Sequence, residues 1–127
     1  MKIAVLIEEG CAVKEIIAII RPERWAETRQ KLAEIGIMAS TQHRVYGRGR
    51  QTGLRYLKQG AKDMPGVSYI PKRMVHIIVD DGDVQRAVDT LIEVNQTPAF
   101  GDGKIYVCPV EDAVRIRTQE AGAAALA

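Results

Sequence analysis

Two short runs of apolar, mostly β-branched residues, each followed directly by a helix start, constrain the fold of this 127-residue chain more than any other feature. The first run is EIIAII at 15–20, and the second is MVHIIVDD at 74–81. Continuous apolar runs of this length predict buried strands. The Arg-Pro pair at 21–22 puts proline in the first turn of a helix, and the Asp-Gly-Asp at 81–83 offers helix-capping oxygens. Two strand–helix units are therefore expected.

The segments after these units add further strands. Residues 38–46 are rich in Ser, Thr and Val and follow a helix that is expected to end at Gly36. KIYVCPV at 104–110 is expected to be a strand, and a turn at 111–113 then leads into VRIRT, which is expected to be extended. The order β-α-β, long loop, β-α-β predicts an α+β, ferredoxin-like βαββαβ sandwich with both helices on one face.

The two ends of the chain fit this unit less well. Residues 1–13 place an apolar stretch ahead of an already complete first strand, so we expect an upstream extension or a flexible arm, with Val13 as the natural start. A genuine additional strand is the alternative. The domain then spans residues 14–127, and its last residues, EAGAAALA, are small and featureless, which favours a frayed or peripheral tail.

Composition excludes several classes of protein. The chain is 46% hydrophobic and 27% charged, as ordinary soluble globular proteins are, and no apolar run approaches the ~20 residues that span a bilayer. Cys11 and Cys108 lie far apart without the spacing of a metal site, and Cys108, inside an apolar strand, is expected to be buried. A reduced, cytoplasmic protein without membrane insertion is therefore expected.

No catalytic constellation is apparent in the sequence. His43 and His76 have no serine, cysteine or metal-ligating partner at a diagnostic spacing, and no carboxylate pair is marked out. His76 alternates within a predicted strand, which favours a structural role or a place at the edge of a ligand site. The chain is therefore not expected to be an enzyme.

Positive charge is concentrated in one segment. Residues 44–73 carry eight Lys or Arg and a single acid, Asp63, which gives a local charge of +7 against +2 for the whole chain. Residues 47–68 hold five glycines and one proline, which predicts a loop, and loops of ~20 residues in a compact domain are usually functional. The charge indicates contact with an anion or an acidic protein, or only a solvated loop; a nucleic-acid-binding module is a remote alternative.

Three short motifs suit anion binding. The glycines of GRGRQTG at 47–53 let the backbone approach an anion while arginine adds charge, and GDGK at 101–104 puts backbone amides beside a lysine. GDGK alone is also a plain turn signal. On an extended segment Arg115 and Arg117 point to the same face, where either an anionic ligand or an ion-pair network has to compensate them.

Four motifs in register make the chain similar to the PII signal-transduction family over residues 14 to about 120: EIIAIIRP, VYGRGRQTG, PKRM and GDGKIYVCPVEDAVRIRT. The resemblance implies a trimer, either a homotrimer or a heterotrimer with a paralogue, that binds ATP or ADP in clefts between subunits. It also implies 2-oxoglutarate bound beside a magnesium ion on the ATP. A long loop between the second and third strands, called the T-loop and placed here at about residues 48–69, is implied to dock onto a target protein.

The resemblance assigns roles to individual positions. The ATP positions comprise a phosphate-binding turn, the T-loop base, residues near the adenine and two arginines that reach the phosphates from a neighbouring subunit. They are Ile19, Thr41, Gly47, Gly49, Arg50, His76, Gly101, Asp102, Gly103, Lys104, Arg115 and Arg117. The 2-oxoglutarate positions are Gly49, Arg50, Gln51 and Lys72. By the same resemblance Gln51 helps to hold the magnesium ion, and Lys72 pairs with an oxoacid carboxylate.

Several segments are most similar to the nitrogenase-associated branch of the family: RPERW, HRVYGRGRQTGLRYL, YIPKRMV and EVNQT. That branch implies a regulator that inhibits the dinitrogenase component of nitrogenase when 2-oxoglutarate is low. The alternative is a general PII protein that regulates an ammonium transporter, a nitrogen-assimilation enzyme or transcription. His76 stands where many members have a glutamate, Asp63 where relatives have a tyrosine that is uridylylated, and Gln59 where an arginine plugs ammonium channels.

Overall fold

The structure, a computed structural model, describes residues 12–48 and 69–126. Its elements follow the predicted order. They are β1 (Val13–Ile20), a 3-10 turn (Pro22–Arg24), α1 (Trp25–Glu34), β2 (Thr41–Gly47), β3 (Ile70–Asp80), α2 (Asp81–Asn95), β4 (Lys104–Val110) and a C-terminal 3-10 turn (Gly122–Leu126). β3 begins four residues before the predicted strand. The predicted T-loop therefore falls between β2 and β3, but its residues 49–68 lie outside the described part, as do residues 1–11 of the predicted N-terminal extension.

The four strands form one antiparallel sheet in the order β2-β3-β1-β4. In the central strand β1, Ile17 pairs with His76 of β3 on one side and with Tyr106 of β4 on the other. The two helices pack together, and α2 packs on β1 and β3. This arrangement confirms the predicted ferredoxin-like βαββαβ sandwich. Within the described residues, none of the helices combines the length and the apolar character that crossing a membrane requires.

The hydrophobic core lies between the sheet and the helices. In β1 every second residue faces the helices, so Ile16, Ala18 and Ile20 are buried. The side chains that meet them recur at helical spacing in α2 and are joined by one from α1: Val84, Ala87, Val88, Leu91 and Leu32. Each buried Ile, Leu or Val of this set stabilises the fold by about 1.5–3 kcal/mol.

The other side of the sheet, called the open face below, is not covered by the helices. Directly paired residues share a face, so the register defines its members. They include Glu15, Ile17 and Ile19 of β1, Thr41, His43, Val45 and Gly47 of β2, Ile70, Lys72, Met74, His76 and Ile78 of β3, and Lys104, Tyr106 and Cys108 of β4. Tyr106 is 46% exposed and Ile78 40%. Cys108 lies on this face and is only partly buried, so the expectation that it is buried is not met.

An ion pair between a buried lysine and a half-buried aspartate joins the start of β1 to the start of α2. The Lys14 side chain, only 2% exposed, lies on the helix side of the sheet, and its Nζ donates to Asp81 Oδ1 at 2.7 Å. The backbone N–H of Asp81 donates to the carbonyl oxygen of Ala12 at 3.0 Å. A buried ammonium is tolerated here because its charge is neutralised by a carboxylate in the first turn of a helix.

The segment after β4 differs from its prediction. Residues 114–118 are not a strand: Val114 makes only an isolated bridge to Ala121, and residues 116–118 form a turn. Gln119, at φ 61°, reverses the chain, and the Gly122 N–H donates to the Ala113 carbonyl oxygen at 2.9 Å. The interpretation of two arginines on one strand face is therefore wrong. Of the two expectations for the tail, frayed or peripheral, the frayed one is wrong for residues 122–126, which form a 3-10 turn that packs on β3.

Candidate functional site

An open cleft of about 500 Å³ lies where β2 and β3 border the basic segment. This volume falls within the range of small-molecule sites. Its walls come from the ends of β1 and β2, from the starts of β3 and β4, and from the turn before β4. The lining residues are Ile19, Gly47, Arg48, Ile70, Lys72, Ala99, Phe100, Gly101, Asp102, Gly103, Lys104 and Tyr106.

The turn before β4 requires its glycines. Gly101 has φ 96° and Gly103 has φ 118°, values that residues with a Cβ adopt only with strain. A Cβ on Gly103 would lie 1.7 Å from the carbonyl oxygen of Ile19. The turn therefore packs directly against the backbone at the end of β1. The glycines that suggested an anion cradle are needed by the fold and also shape the cleft.

Asp102 is held inside this turn. Its Oδ2 accepts from the Thr97 N–H at 2.7 Å, and its carboxylate also accepts from the Thr97 hydroxyl. Arg21 Nη1 donates to Asp102 Oδ1 at 2.8 Å. Burial alone raises the pKa of Asp102, but the hydrogen bonds from Thr97 and the bond and charge of Arg21 outweigh it, so the pKa is lowered. Asp102 is thus an ionised anchor of the turn.

Arg21 fastens the same turn at a second point, because its Nη2 donates to the Phe100 carbonyl oxygen at 2.9 Å. No site role was predicted for this arginine. The one sequence feature that could have indicated a role for Arg21 is its position between the end of β1 and a helix-starting proline. From there a long cationic side chain can reach the turn before β4.

Lys72 brings an ammonium group into the cleft. Its Nζ donates to the Gly101 carbonyl oxygen at 2.9 Å, which links β3 to the turn. Burial is the main reason that its pKa is lowered, and the positive charge of Arg21 adds to the effect, while Glu23 and Asp102 oppose it. Together with Lys104 and Arg48, Lys72 gives the cleft positive charge beside the backbone of a glycine turn. Such a site suits an anion with several oxygens, a phosphate chain above all.

The register explains how residues from four strands can serve one site. Ile19, Gly47, Lys72 and Lys104 all lie on the open face, and with the turn at 101–103 they line the cleft. Thr41 and His76, which pair directly, lie on the same face but do not line it. His76 Nδ1 lies 3.1 Å from Glu15 Oε2, and its ring stacks on His43 at a centroid distance of 5.4 Å. His76 therefore has partners that sequence spacing did not indicate.

The remaining predicted site residues are not in this cleft or not described. Arg115 and Arg117 lie on the C-terminal segment and do not line it. Gly49, Arg50 and Gln51 lie outside the described residues, and the roles assigned to them stay predictions. In the described ranges, 12–48 and 69–126, no three His, Cys, Asp or Glu side chains form a group that could hold a metal ion.

Five cleft residues were missed by the sequence reasoning: Arg48, Ile70, Ala99, Phe100 and Tyr106. Strand alternation contains a signal for two of them, because Ile70 and Tyr106 lie two residues from Lys72 and Lys104 and so share their face. The aromatic ring of Phe100, which is 66% exposed, follows no periodic pattern, since the residue belongs to a turn.

Comparison with known proteins identifies what this chain is similar to. The family model described as nitrogen regulatory protein P-II matches residues 13–120. The nitrogen fixation nifHD region GlnB-like protein 2 of Methanobacterium ivanovii is 43% identical over 117 residues, which cover 87% of this chain and 96% of that protein. The nitrogen regulatory protein P-II 1 of Escherichia coli is 44% identical over 114 residues, which cover 90% of this chain and all of that protein. A crystal structure of Arabidopsis thaliana PII bound to citrate matches 92% of each chain at 31% identity, with a TM-score of 0.74.

Proposed function

Because this chain belongs to the P-II family of nitrogen regulatory proteins, we propose that it senses ATP or ADP together with 2-oxoglutarate and controls a target protein through residues 48–69. The family establishes a nitrogen-regulatory role. The observation that carries the finer proposal is the position of Lys72 beside the Gly101–Lys104 turn, in a cleft that opens where the basic segment leaves β2.

The cleft fits a nucleotide on physical grounds. Gly103 lets the turn approach β1, so a phosphate chain can lie along backbone rather than against side chains. Lys104 and Arg48 supply positive charge, and Ile19 supplies an apolar wall for a base. Asp102 is neutralised by Arg21, so its carboxylate does not oppose an anion as a free charge would. We assign ATP or ADP to this cleft, with Gly47 and the undescribed Gly49 and Arg50 at the loop base.

A dicarboxylate next to ATP needs cations between the two anions. Lys72 is placed to pair with one oxoacid carboxylate, and the relative from Arabidopsis thaliana binds citrate, a molecule with several carboxylates. A magnesium ion would supply the positive charge needed between the phosphates and the oxoacid, and few protein ligands would be needed to hold it, because magnesium keeps several waters and binds phosphate oxygens. Gln51 is the residue of this chain proposed to hold it.

The site is proposed to be completed by a neighbouring copy in a trimer. Four predicted ATP-site residues do not line the cleft of their own chain: Thr41, His76, Arg115 and Arg117. This is expected if they contribute to the cleft of a neighbouring subunit. The open face, with Tyr106 partly exposed, is the surface proposed to meet the other copies. Replacing Tyr106 with Glu should shift a trimer to monomers in analytical ultracentrifugation, whereas Glu93→Gln on the exposed side of α2 should not.

The target of residues 48–69 is proposed to be the dinitrogenase component of nitrogenase, in the cytoplasm, with inhibition when 2-oxoglutarate is low. Two relatives whose names refer to a nitrogen fixation nifHD region, from Methanobacterium ivanovii and Methanothermobacter marburgensis, support this target at 43% and 44% identity. The Escherichia coli protein is 44% identical as well. A general regulator of ammonium transport or nitrogen assimilation is therefore the second candidate, and a pull-down with dinitrogenase or with the transporter, with and without 2-oxoglutarate, separates the two.

Isothermal titration calorimetry tests the ligand proposal. Lys72→Ala and Gln51→Ala should each abolish 2-oxoglutarate binding in the presence of ATP and magnesium while largely sparing ATP, and Arg115→Ala should weaken ATP. Lys31→Ala, on the surface of α1, is the matched control and should change neither affinity. Unchanged oxoacid affinity in both site variants would refute the assignment. The absence of ATP binding, combined with RNA binding of steep salt dependence, would instead support the nucleic-acid alternative.

A further inference from the structure

The C-terminal segment is folded around the side chain of Arg115. Arg115 Nη1 donates to Glu120 Oε1 at 2.7 Å, and Nη2 lies 3.3 Å from each of the carbonyl oxygens of Ala124 and Ala125. The backbone takes part as well, since the Arg115 N–H donates to the Glu120 carbonyl oxygen at 2.9 Å. One guanidinium thus links Glu120, which follows the turn at 116–118, to the 3-10 turn that ends the described chain.

Arg117, two residues further on, differs from Arg115 in its contacts. It is exposed and, within the described residues, makes neither a hydrogen bond nor an ion pair. The two arginines that sequence reasoning treated as an equivalent pair are therefore unequal: Arg117 can meet an anion without giving up a partner, whereas Arg115 must first leave a carboxylate and two carbonyl oxygens.

We propose that Glu120 and the C-terminal 3-10 turn form a latch that withholds Arg115 from an incoming phosphate chain, so that nucleotide binding and opening of this latch are coupled. This inference rests on the proposed function, because it requires Arg115 to contact the nucleotide. Glu120 competes with phosphate oxygens for the same guanidinium nitrogens, since both are anionic acceptors of its N–H groups. Glu120 is then a positioning residue that lowers nucleotide affinity in the closed state.

The backbone of the latch is suited to opening. Gln119 occupies the left-handed region at φ 61°, which is unfavourable for a residue with a Cβ, and its N–H donates to the Arg115 carbonyl oxygen at 2.7 Å. The Glu120 carboxylate is 45% exposed, so its bond to Arg115 is weakened by solvent. A phosphate chain with several negative charges can therefore displace it. Coupling is reciprocal, so the free energy by which bound nucleotide destabilises the closed latch should equal the free energy by which the closed latch weakens nucleotide binding.

Calorimetry on the full-length protein with ATP and magnesium tests the latch. Glu120→Gln should tighten ATP binding about two- to five-fold, the value of one partly exposed ion pair. Glu111→Gln makes the same charge change on an exposed residue of the same segment and should leave the affinity unchanged. In an Arg115→Ala background, Glu120→Gln should bring no gain, because the residue that Glu120 acts through is absent. Hydrogen exchange at the Gly122 amide should become faster when ATP binds.

The outcomes separate the latch from the proposed function. If Glu120→Gln leaves the ATP affinity unchanged or lowers it, the latch is overturned while the nucleotide site stands. The same holds if Glu120→Gln still raises the ATP affinity in the Arg115→Ala background. ATP binding that does not change exchange at Gly122 overturns the predicted opening. If the wild-type chain binds no ATP, the nucleotide site itself fails, and the latch fails with it.

Discussion

The guanidinium of Arg21 lies 2.8 Å from the carboxylate of Asp102, although 81 residues separate them in the chain. Through this pair the end of β1 holds the turn before β4, and with it one wall of the cleft. Both side chains are largely shielded, at 17% and 25% exposure, so the bond is less screened than a surface ion pair.

Asp102→Asn should lower the free energy of unfolding by roughly 1–2 kcal/mol, because the charge that pairs with Arg21 is lost. In the wild type, the pKa of Asp102 lies below its ordinary 3.8 when the chain is folded. As the pH falls, the unfolded chain takes up this proton first. The stability that Asp102 contributes is therefore fully present above about pH 3.8, and it is lost as the pH falls through the lower pKa of the folded chain. Urea denaturation from pH 2 to 6 should show a flatter curve for Asp102→Asn than for wild type, and Glu93→Gln should follow the wild type.

Gly103→Ala should unfold the turn or destabilise the chain by roughly 3 kcal/mol or more, since its Cβ would lie 1.7 Å from the Ile19 carbonyl oxygen. Gly36→Ala is the matched control: Gly36 also has a positive φ, 88°, but nothing lies within 4 Å of its added Cβ. That variant should cost only about 1 kcal/mol from backbone conformation. Equal losses in thermal denaturation would contradict the close approach of the turn to β1.

Binding of 2-oxoglutarate should weaken at alkaline pH through Lys72. Burial and the charge of Arg21 lower the pKa of Lys72 below its ordinary 10.5 in the folded chain. The ammonium that pairs with the oxoacid is therefore lost at a lower pH than for an exposed lysine. Lys72→Arg keeps its charge throughout this range, so any affinity it retains should not show the same decline. Calorimetry of both proteins between pH 7 and 10 measures the difference, and parallel declines would argue against Lys72 as the titrating group.

Asp81→Asn should lower the free energy of unfolding by roughly 1–3 kcal/mol, because it removes the carboxylate that lies 2.7 Å from the buried Lys14 Nζ. The double variant Lys14→Met, Asp81→Asn should recover most of that loss, since an apolar side chain of similar length needs no partner. Chemical denaturation of wild type, single and double variants completes the cycle. A double variant as unstable as Asp81→Asn alone would show that Asp81 acts by another route, for example through the α2 N-terminus.

The local sequence pattern was sufficient to predict the strand β1, the helix α2 and the glycine turn before β4. The continuous apolar run at 15–20 predicts a buried strand, and the structure has a strand at Val13–Ile20. The spacing of Val84, Val88 and Leu91 predicts the buried side of α2. The Gly-Asp-Gly before Lys104 predicts a tight turn at the site where the cleft forms. These features depend on residues within a few positions of one another, which is why composition and spacing reveal them.

The sequence by itself therefore determined the order of strands and helices, the two halves of the sandwich and the glycine turn with its lysine. Only the tertiary structure decided that Arg21 anchors that turn, that Lys72 reaches Gly101, that His76 stacks on His43, and that Arg115 is turned back onto Glu120 instead of lying on a strand. Each of these contacts depends on strand register or on the path of a reversed backbone. Register is set by the burial of the whole core, and no short stretch of residues encodes it.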